Sequence, residues 1–238
     1  MDTLNIAIPV YNEAENIART VLEIRQKVTA TYCITVIYDF PEDTTIPVVK
    51  SLIRDGHPIR LMHNELGRGV CNAIKTGFKN LTGTIVVVMA DSSDDISAID
   101  NMAKLAQKGY AVVCGSRYMR GGKHIGGPRL KKTLSRIAGI SLHYLIGIPT
   151  HDITNSFKLY NKNMLESMTL ESTGGFEIGM EVVVKAYASG FKVGEVPSTW
   201  KDRVSGASRF KLFTWLPRYI HWYLFALKYS LFSKPQAL

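Results

Sequence analysis

The sequence predicts an α/β protein: a mainly parallel central sheet flanked by helices, followed by an amphipathic, aromatic-rich helical segment at the C-terminus. Short apolar runs alternate with helical periodicity through the first half of the chain, the pattern of a parallel sheet with helices on both faces. One run, Val86 to Ala90, is apolar at every position and so reads as a strand covered on both sides. It leads straight into three carboxylates, Asp91, Asp94 and Asp95, with two serines and no basic residue among them. Ligands of open α/β sheets sit outside the carboxyl ends of such strands, and an all-oxygen acidic cluster there suits Mg²⁺ or Mn²⁺. The plainer alternative is an Asp/Ser turn that caps the next helix.

Leu4 to Val10 reads as the first strand, and Asn12 opens a helix reaching about Thr29. Cys33 to Tyr38 is a second strand, Thr45 to Asp55 a helix, Ile59 to His63 a short strand and Arg68 to Asn80 a helix. The acid-tipped strand covers Thr84 to Met89; a helix over Ile96 to Lys108 and a strand over Tyr110 to Cys114 follow. After Gly115 the rhythm gives way to a glycine-rich basic loop, then to a helix from about Leu130 to Ile146. Arg129, Lys132 and Arg136 recur at spacings of three and four, which gathers them on one face near the start of that helix. An isolated charge run is ordinarily a solvated face. Beside a glycine loop and a helix N-terminus it becomes a candidate anion site, because backbone amides add donors.

At 238 residues and 46% hydrophobic, the chain is long enough to bury a full core, and one large domain is expected. Cys33, Cys71 and Cys114 are odd in number and show no metal spacing, so they are expected to be reduced thiols of a cytoplasmic protein. No secretory signal is read at Met1 to Thr3. The net charge of +9 is concentrated: Gly115 to Arg136 holds seven lysines and arginines and no acid, and Lys201 to Leu238 holds seven against Asp202 alone. Localised positive charge points to anionic partners. Phe213 to Phe232 holds two tryptophans, three tyrosines and three phenylalanines, with Arg218 and Lys228 its only charges. Pro217, Arg218, His221 and Lys228 interrupt what would otherwise approach a membrane span, so a helix lying at the head-group level fits better. Packing on its own domain, or against another subunit, remains the alternative.

Several motifs, in order along the chain, resemble family 2 glycosyltransferases of GT-A fold, and among them the dolichol-phosphate mannose synthases and their bacterial polyprenyl-phosphate relatives. They are Ile8 to Ile17, Asn64 to Gly69, the acid-tipped strand, Gly115 to Tyr118, Leu134 to Arg136, Asp152 to Tyr160, Gly175 to Glu177 and Glu195 to Pro197, closing with Arg203 to Ser208. Together they cover roughly residues 4 to 211. The resemblance implies a catalytic domain over 1–211 and an interfacial segment over 212–238. It also implies an inverting, metal-dependent transfer of a hexose from a nucleotide sugar, GDP-mannose or a UDP-hexose, to a polyprenyl phosphate.

On that reading Pro9, Tyr11 and Glu13 meet the base and ribose, and Asp39 accepts from ribose hydroxyls or ring nitrogens. Gly67 lets the backbone approach the nucleotide. Asp91, with Asp94 or Asp95, would hold Mg²⁺ or Mn²⁺ on the pyrophosphate, and Arg203 resembles the arginine that closes over it. Arg117, Lys131, Ser135 and Arg136 match the positions that grip the acceptor phosphate. A phosphate oxygen is already ionised near neutral pH and requires no strong base. A hydroxyl acceptor would require one, and Asp152 and Glu177 are the available carboxylates.

The chain departs from the family pattern in three places. Tyr38 stands where relatives carry the first of two aspartates, with Phe40 and Pro41 in place of a glycine and serine. Ala90-Asp91-Ser92 replaces the usual pair of aspartates, and Lys131 replaces an arginine, a point charge for a fork. The expected location is the cytoplasmic face of a membrane, held peripherally, or the cytoplasm, with a membrane-anchoring protein or a second copy as further partners. Two other readings remain: transfer to a sugar or other hydroxyl, and a non-catalytic basic α/β module binding membrane or nucleic acid. Nucleic acid is disfavoured because Tyr118 is the only aromatic within the basic stretch.

Overall fold

A computed structural model describes residues 3–202 and 212–232. The elements are β1 (Leu4–Pro9), α1 (Ala14–Lys27), β2 (Tyr32–Tyr38), α2 (Thr45–Arg54), β3 (Ile59–His63), α3 (Val70–Asn80) and β4 (Thr84–Val87), then α4 (Ile99–Gln107), β5 (Val112–Ser116), β6 (Lys123–Ile125), α5 (Arg129–Ile146) and β7 (Lys158–Asn161). They end with α6 (Lys162–Glu166), α7 (Ile178–Ala188), β8 (Val193–Pro197), β9 (Thr199–Lys201) and α8 (Leu212–Phe232). Seven strands form one sheet in the order β3-β2-β1-β4-β7-β5-β8, and β6 pairs with β9 apart from it. Every pair in the large sheet is parallel except those of β7, which runs antiparallel between β4 and β5. The chain winds outward from β1 in both directions, so the switch point of the sheet lies between β1 and β4.

Alternation along the strands divides the core into two layers. Ile6 and Ile8 of β1, Val86 of β4 and Val113 of β5 face Ile17, Val21 and Ile24 of α1, Val49 of α2 and Met102 of α4. Ala7, Ile85, Val87 and Val112 face the other way, onto Ile74 and Phe78 of α3 and Met180 and Val183 of α7. The expectation of an α/β protein with both faces covered is met.

Four strands escaped the sequence reading: β6, β7, β8 and β9. β7 has an identifiable physical reason. It is four residues long and opens on Lys158, a fully buried lysine whose ammonium donates to the carbonyls of Ile153 and Asn155. Burial lowers its pKa, with Cys114 and Asp152 opposing. A charge where an apolar run is expected hides a central strand.

α8 starts near the expected boundary but is not a detached appendage. Trp222 and Ala226 are buried in the layer that contains α7, and the Trp222 indole donates to Ser172 Oγ at 3.1 Å. Its opposite side is bare: Phe213 is 78% exposed and Leu224 57%; on α5, which packs against α8, Ile137, Tyr144 and Leu145 are exposed as well. No helix among the described residues is long and apolar enough to cross a membrane.

Candidate active site

The carboxyl ends of β1, β2 and β4 carry the residues expected to face a donor. Two turns there are strained: Asn12 and Ser92 are the non-glycine residues with positive φ among those described, at 54° and 55°. Such conformations cost about 1–3 kcal/mol each and tend to gather at functional sites. Asp43, fully buried and not singled out in the sequence, holds the first turn by accepting from the Asn12 amide (3.0 Å) and the Thr45 amide (2.8 Å). Thr20 holds the second, donating to Ala90 O at 2.8 Å and lying 2.9 Å from the Ser92 hydroxyl.

The three acids after β4 do not converge as one ligand set. Asp91 is half-buried and accepts from the Ser93 amide at 3.1 Å. Asp94 turns inward and takes the Met89 amide at 2.9 Å. Burial pushes its pKa up to about 7; the Asp91 charge adds to this, and the Met89 hydrogen bond opposes. Asp95 caps the short 3-10 turn Ile96–Ala98 through Ser97 and also accepts from the Thr199 amide at 3.3 Å. The plainer reading as a cap therefore holds for Asp95. Among the described residues no group of three or more His, Cys, Asp or Glu side chains is positioned to hold a metal. What remains, Asp91 with Asp94 close enough to feel its charge, is a hard-oxygen partial set. It fits a cation that takes its other ligands from phosphate and water, as Mg²⁺ and Mn²⁺ commonly do.

Of the other donor-side candidates, Pro9 ends β1, Tyr11 is 42% exposed beyond it, and Glu13 precedes α1 and accepts from Asn16 at 2.8 Å. Asp39 is buried and already bonded: Oδ1 accepts from Asn64 Nδ2 at 2.7 Å and Oδ2 from the Gly69 amide at 2.9 Å. These two bonds shape the loop at Gly67–Gly69, and each carboxylate oxygen keeps a further lone pair with which to accept from a ligand. Gly67 adopts φ 96° and Gly69 φ 119°, where a side chain would strain the backbone. Arg203 lies outside the described residues.

Across the site, Arg117 is buried immediately after β5 and gripped by Asp152, itself fully buried. Asp152 accepts from Arg117 Nε at 2.6 Å, Nη2 at 2.8 Å and the backbone amide at 3.0 Å. Burial alone would raise the Asp152 pKa, but the arginine overcomes it and holds the carboxyl below its usual range. Burial likewise works against the Arg117 charge, and Asp152 more than restores it. Asp152 is therefore a clamp for Arg117, not a carboxylate free to take a proton. Glu177 is also engaged, accepting from the Gly174 amide at 2.7 Å and the Gly175 amide at 2.6 Å.

The basic candidates come together around Tyr118, which the sequence offered only as part of a motif. The Arg117 guanidinium lies 5.0 Å from the Tyr118 ring centre, and the Tyr118 hydroxyl bonds Ser135 Oγ and, at 3.0 Å, His124 Nδ1. Lys131 sits 6.0 Å over the Trp200 ring, against which His124 packs edge-on. Burial drops the His124 pKa to about 4, helped by Arg117 and Lys132, so this ring stays neutral among cations at physiological pH. Arg136 is exposed on the same turn of α5 and close enough to lower the Tyr118 pKa, although burial raises it overall. β9, paired with β6, ties the two halves: Lys201 N donates to Ser93 O at 3.0 Å beside the acidic loop.

A mainly parallel α/β sheet with an acidic loop at its carboxyl edge, and a cluster of basic side chains across from it, has the organisation of an α/β enzyme that binds its ligands at that edge. The comparisons give the class a family. Residues 5–169 match the family described as Glycosyl transferase family 2, and the chain belongs to it. It is 26% identical over 210 residues to a polyprenol monophosphomannose synthase of Mycolicibacterium smegmatis, covering 86% of this chain and 79% of that protein. It is 30% identical over 214 residues to a dolichol-phosphate mannosyltransferase of Pyrococcus furiosus, covering 87% of this chain but only 59% of the archaeal protein. Among solved structures, glucosyl-3-phosphoglycerate synthase from Mycobacterium tuberculosis in complex with Mn²⁺, UDP-glucose and phosphoglyceric acid superposes with a TM-score of 0.66 at 14% identity, over 98% of this chain and 81% of that one. That likeness establishes a GT-A-like fold.

Proposed function

We propose that this glycosyltransferase moves a hexose from a nucleoside diphosphate sugar, GDP-mannose or a UDP-hexose, to the phosphate of a polyprenyl lipid at a membrane surface. The observation that carries this reading is the Asp152-clamped Arg117 beside Ser135, Lys131 and Arg136, with both nearby candidate bases, Asp152 and Glu177, already committed. An acceptor phosphate arrives ionised. It requires cations that orient it, and a guanidinium fixed in a buried carboxylate fork does so with little loss of side-chain freedom. The lipid-phosphate acceptors named for both relatives favour the same choice over a sugar hydroxyl, which would require a free base.

Attack by a phosphate oxygen on the anomeric carbon, opposite the departing nucleoside diphosphate, forms one bond as the other breaks and inverts the centre. Asp91, with Asp94 beside it, would hold Mg²⁺ or Mn²⁺ on the pyrophosphate, where the ion offsets charge growing on the leaving group. Arg117 and Lys131 orient the incoming oxygen, while Ser135, bonded to Tyr118, offers a hydroxyl to a second one. The test is release of nucleoside diphosphate from a panel of nucleotide sugars, with and without polyprenyl phosphate. The reading predicts release that needs both the lipid phosphate and the metal; equal release without the lipid would contradict it.

The outer faces of α5 and α8, apolar and adjoining the basic start of α5, support attachment to an anionic bilayer, peripherally on its cytoplasmic face. Deleting residues 212–238 would also remove the buried Trp222 and Ala226, so surface substitutions test this better. Phe213→Asp with Leu224→Asp should weaken co-sedimentation with anionic liposomes by about 100-fold or more, given ~1.5–3 kcal/mol for each apolar side chain buried. The melting temperature should hardly change, since both side chains are exposed. Unaltered liposome binding would rule this face out.

A further inference from the structure

Glu195 belongs to a motif that the catalytic assignment leaves without a task. It lies in the middle of β8, the edge strand beside β5, in register with Cys114, and Arg117 follows directly after β5. Its half-buried carboxylate faces the loop that joins α5 to Asp152. Oε2 accepts from the His151 amide at 2.8 Å and the Thr150 hydroxyl at 3.1 Å, and Oε1 accepts from His151 Nδ1 at 2.6 Å. A carboxylate only accepts, so Nδ1 carries a proton whether the ring is neutral or charged. The Thr150 hydroxyl in turn accepts from the Asp152 amide at 3.1 Å. The acid that forks Arg117 is thus held in place by a second acid on the strand next to β5. The same loop supports α5. The His143 ring stacks on His151 with centres 4.0 Å apart, and its Nδ1 bonds Ile148 O at 2.8 Å. A side chain at Gly139 would collide with the His151 carbonyl, so the helix rests directly on the loop backbone.

We infer that Glu195 is a positioning residue for the acceptor phosphate, acting through Thr150 and His151. It touches no reactant. It fixes the loop that carries Asp152 and on which α5 rests, and so keeps Arg117, after β5, at a set spacing from Lys131, Ser135 and Arg136 on α5. This deepens the transferase reading and rests on it. Two elements that grip one phosphate require a common support, because an error of about 1 Å in either costs about 100-fold in rate. A carboxylate that accepts from three donors on two successive residues supplies a stiff one.

The experiment measures transfer kinetics with polyprenyl phosphate varied and, separately, binding of GDP-mannose or the UDP-hexose that supports transfer, with Mn²⁺ and no acceptor. The proteins are the wild type, Glu195→Gln, His151→Leu and His151→Asn, each with its melting temperature. Glu195→Gln turns an amide onto hydrogen-bond donors that require an acceptor, and His151→Leu removes the ring donor. Both should lower kcat/KM for polyprenyl phosphate by about 10- to 100-fold while binding the nucleotide sugar as the wild type does. His151→Asn, whose side-chain amide reaches Glu195 from near the place of Nδ1, should keep kcat/KM within a few-fold. A support for stability alone would lower the melting temperature and leave the kinetics of the folded protein unchanged. If either Glu195→Gln or His151→Leu transfers like the wild type, or weakens nucleotide-sugar binding as much as it lowers kcat/KM, the assignment is overturned and the transferase reading stands. Equal losses in His151→Asn and His151→Leu overturn it too, since the bond to Glu195 is then not what matters. If Glu195→Gln proves unfolded, the contrast between the two His151 variants decides. A wild type that moves no sugar to polyprenyl phosphate would overturn the assignment together with the transferase reading.

Discussion

Replacing Asp152 with alanine is expected to destabilise the protein by about 3–5 kcal/mol, because it leaves the Arg117 guanidinium buried without its counter-charge. For a chain of this size that corresponds to a fall in melting temperature of roughly 6–20 °C. Sugar transfer should fall as well, since the guanidinium loses the fork that aims it. The pH dependence has a definite sign. The Asp152 carboxyl titrates below its unfolded value, so its contribution is fully present above pH ~4 and is lost as pH falls further, through the folded value. The difference between wild type and variant should narrow there. The pair Asp152→Leu with Arg117→Met separates structure from function. It should recover much of the stability, as apolar replacements of buried ion pairs often do, yet remain inactive in transfer. Denaturant unfolding and the transfer assay read the two effects. An active double variant would show that Arg117 does not touch the acceptor.

Asp91→Ala should lower kcat/KM for nucleoside diphosphate release by about 1,000-fold or more, the scale of several kcal/mol that a phosphate-bound cation contributes. Its effect on stability should be small beside its effect on activity, because the side chain is only half-buried. Asp95→Ala should behave in the opposite way, costing about 1 kcal/mol through the lost cap while leaving most of the activity. Metal titration of the three proteins checks the assignment. Wild-type metal dependence retained by Asp91→Ala, or abolished only by Asp95→Ala, would move the cation site.

The parallel half of the sheet was readable because its strands are long apolar runs and its helices carry one apolar face each. The β7 strand was not, since Lys158 interrupts the run that a central strand normally shows. The acidic loop was recognised as a cluster, but sequence adjacency overstated its convergence: Asp94 points to the Met89 amide and Asp95 to a helix start. Asp152 and Glu177 stood out as unassigned carboxylates. Their partners become visible only once the chain folds, when Arg117 lies against an acid 35 residues away and two glycine amides turn onto Glu177. The basic residues of α5 were legible by spacing. Their organisation around Tyr118, His124 and Trp200 depends on the β6–β9 pairing, for which neither three-residue strand carries a periodic signal.

The most direct measurement compares acceptors that differ only in the phosphate. Polyprenyl phosphate and the corresponding polyprenol, in the same vesicles with the same metal and nucleotide sugar, are offered to wild-type protein and to Arg117→Met with Asp152→Leu. Transfer to the phosphate alone, lost in the double variant, is the predicted result. Transfer to the alcohol at a comparable rate would contradict it, and would mean that the recess around Arg117 serves some group other than the attacking phosphate.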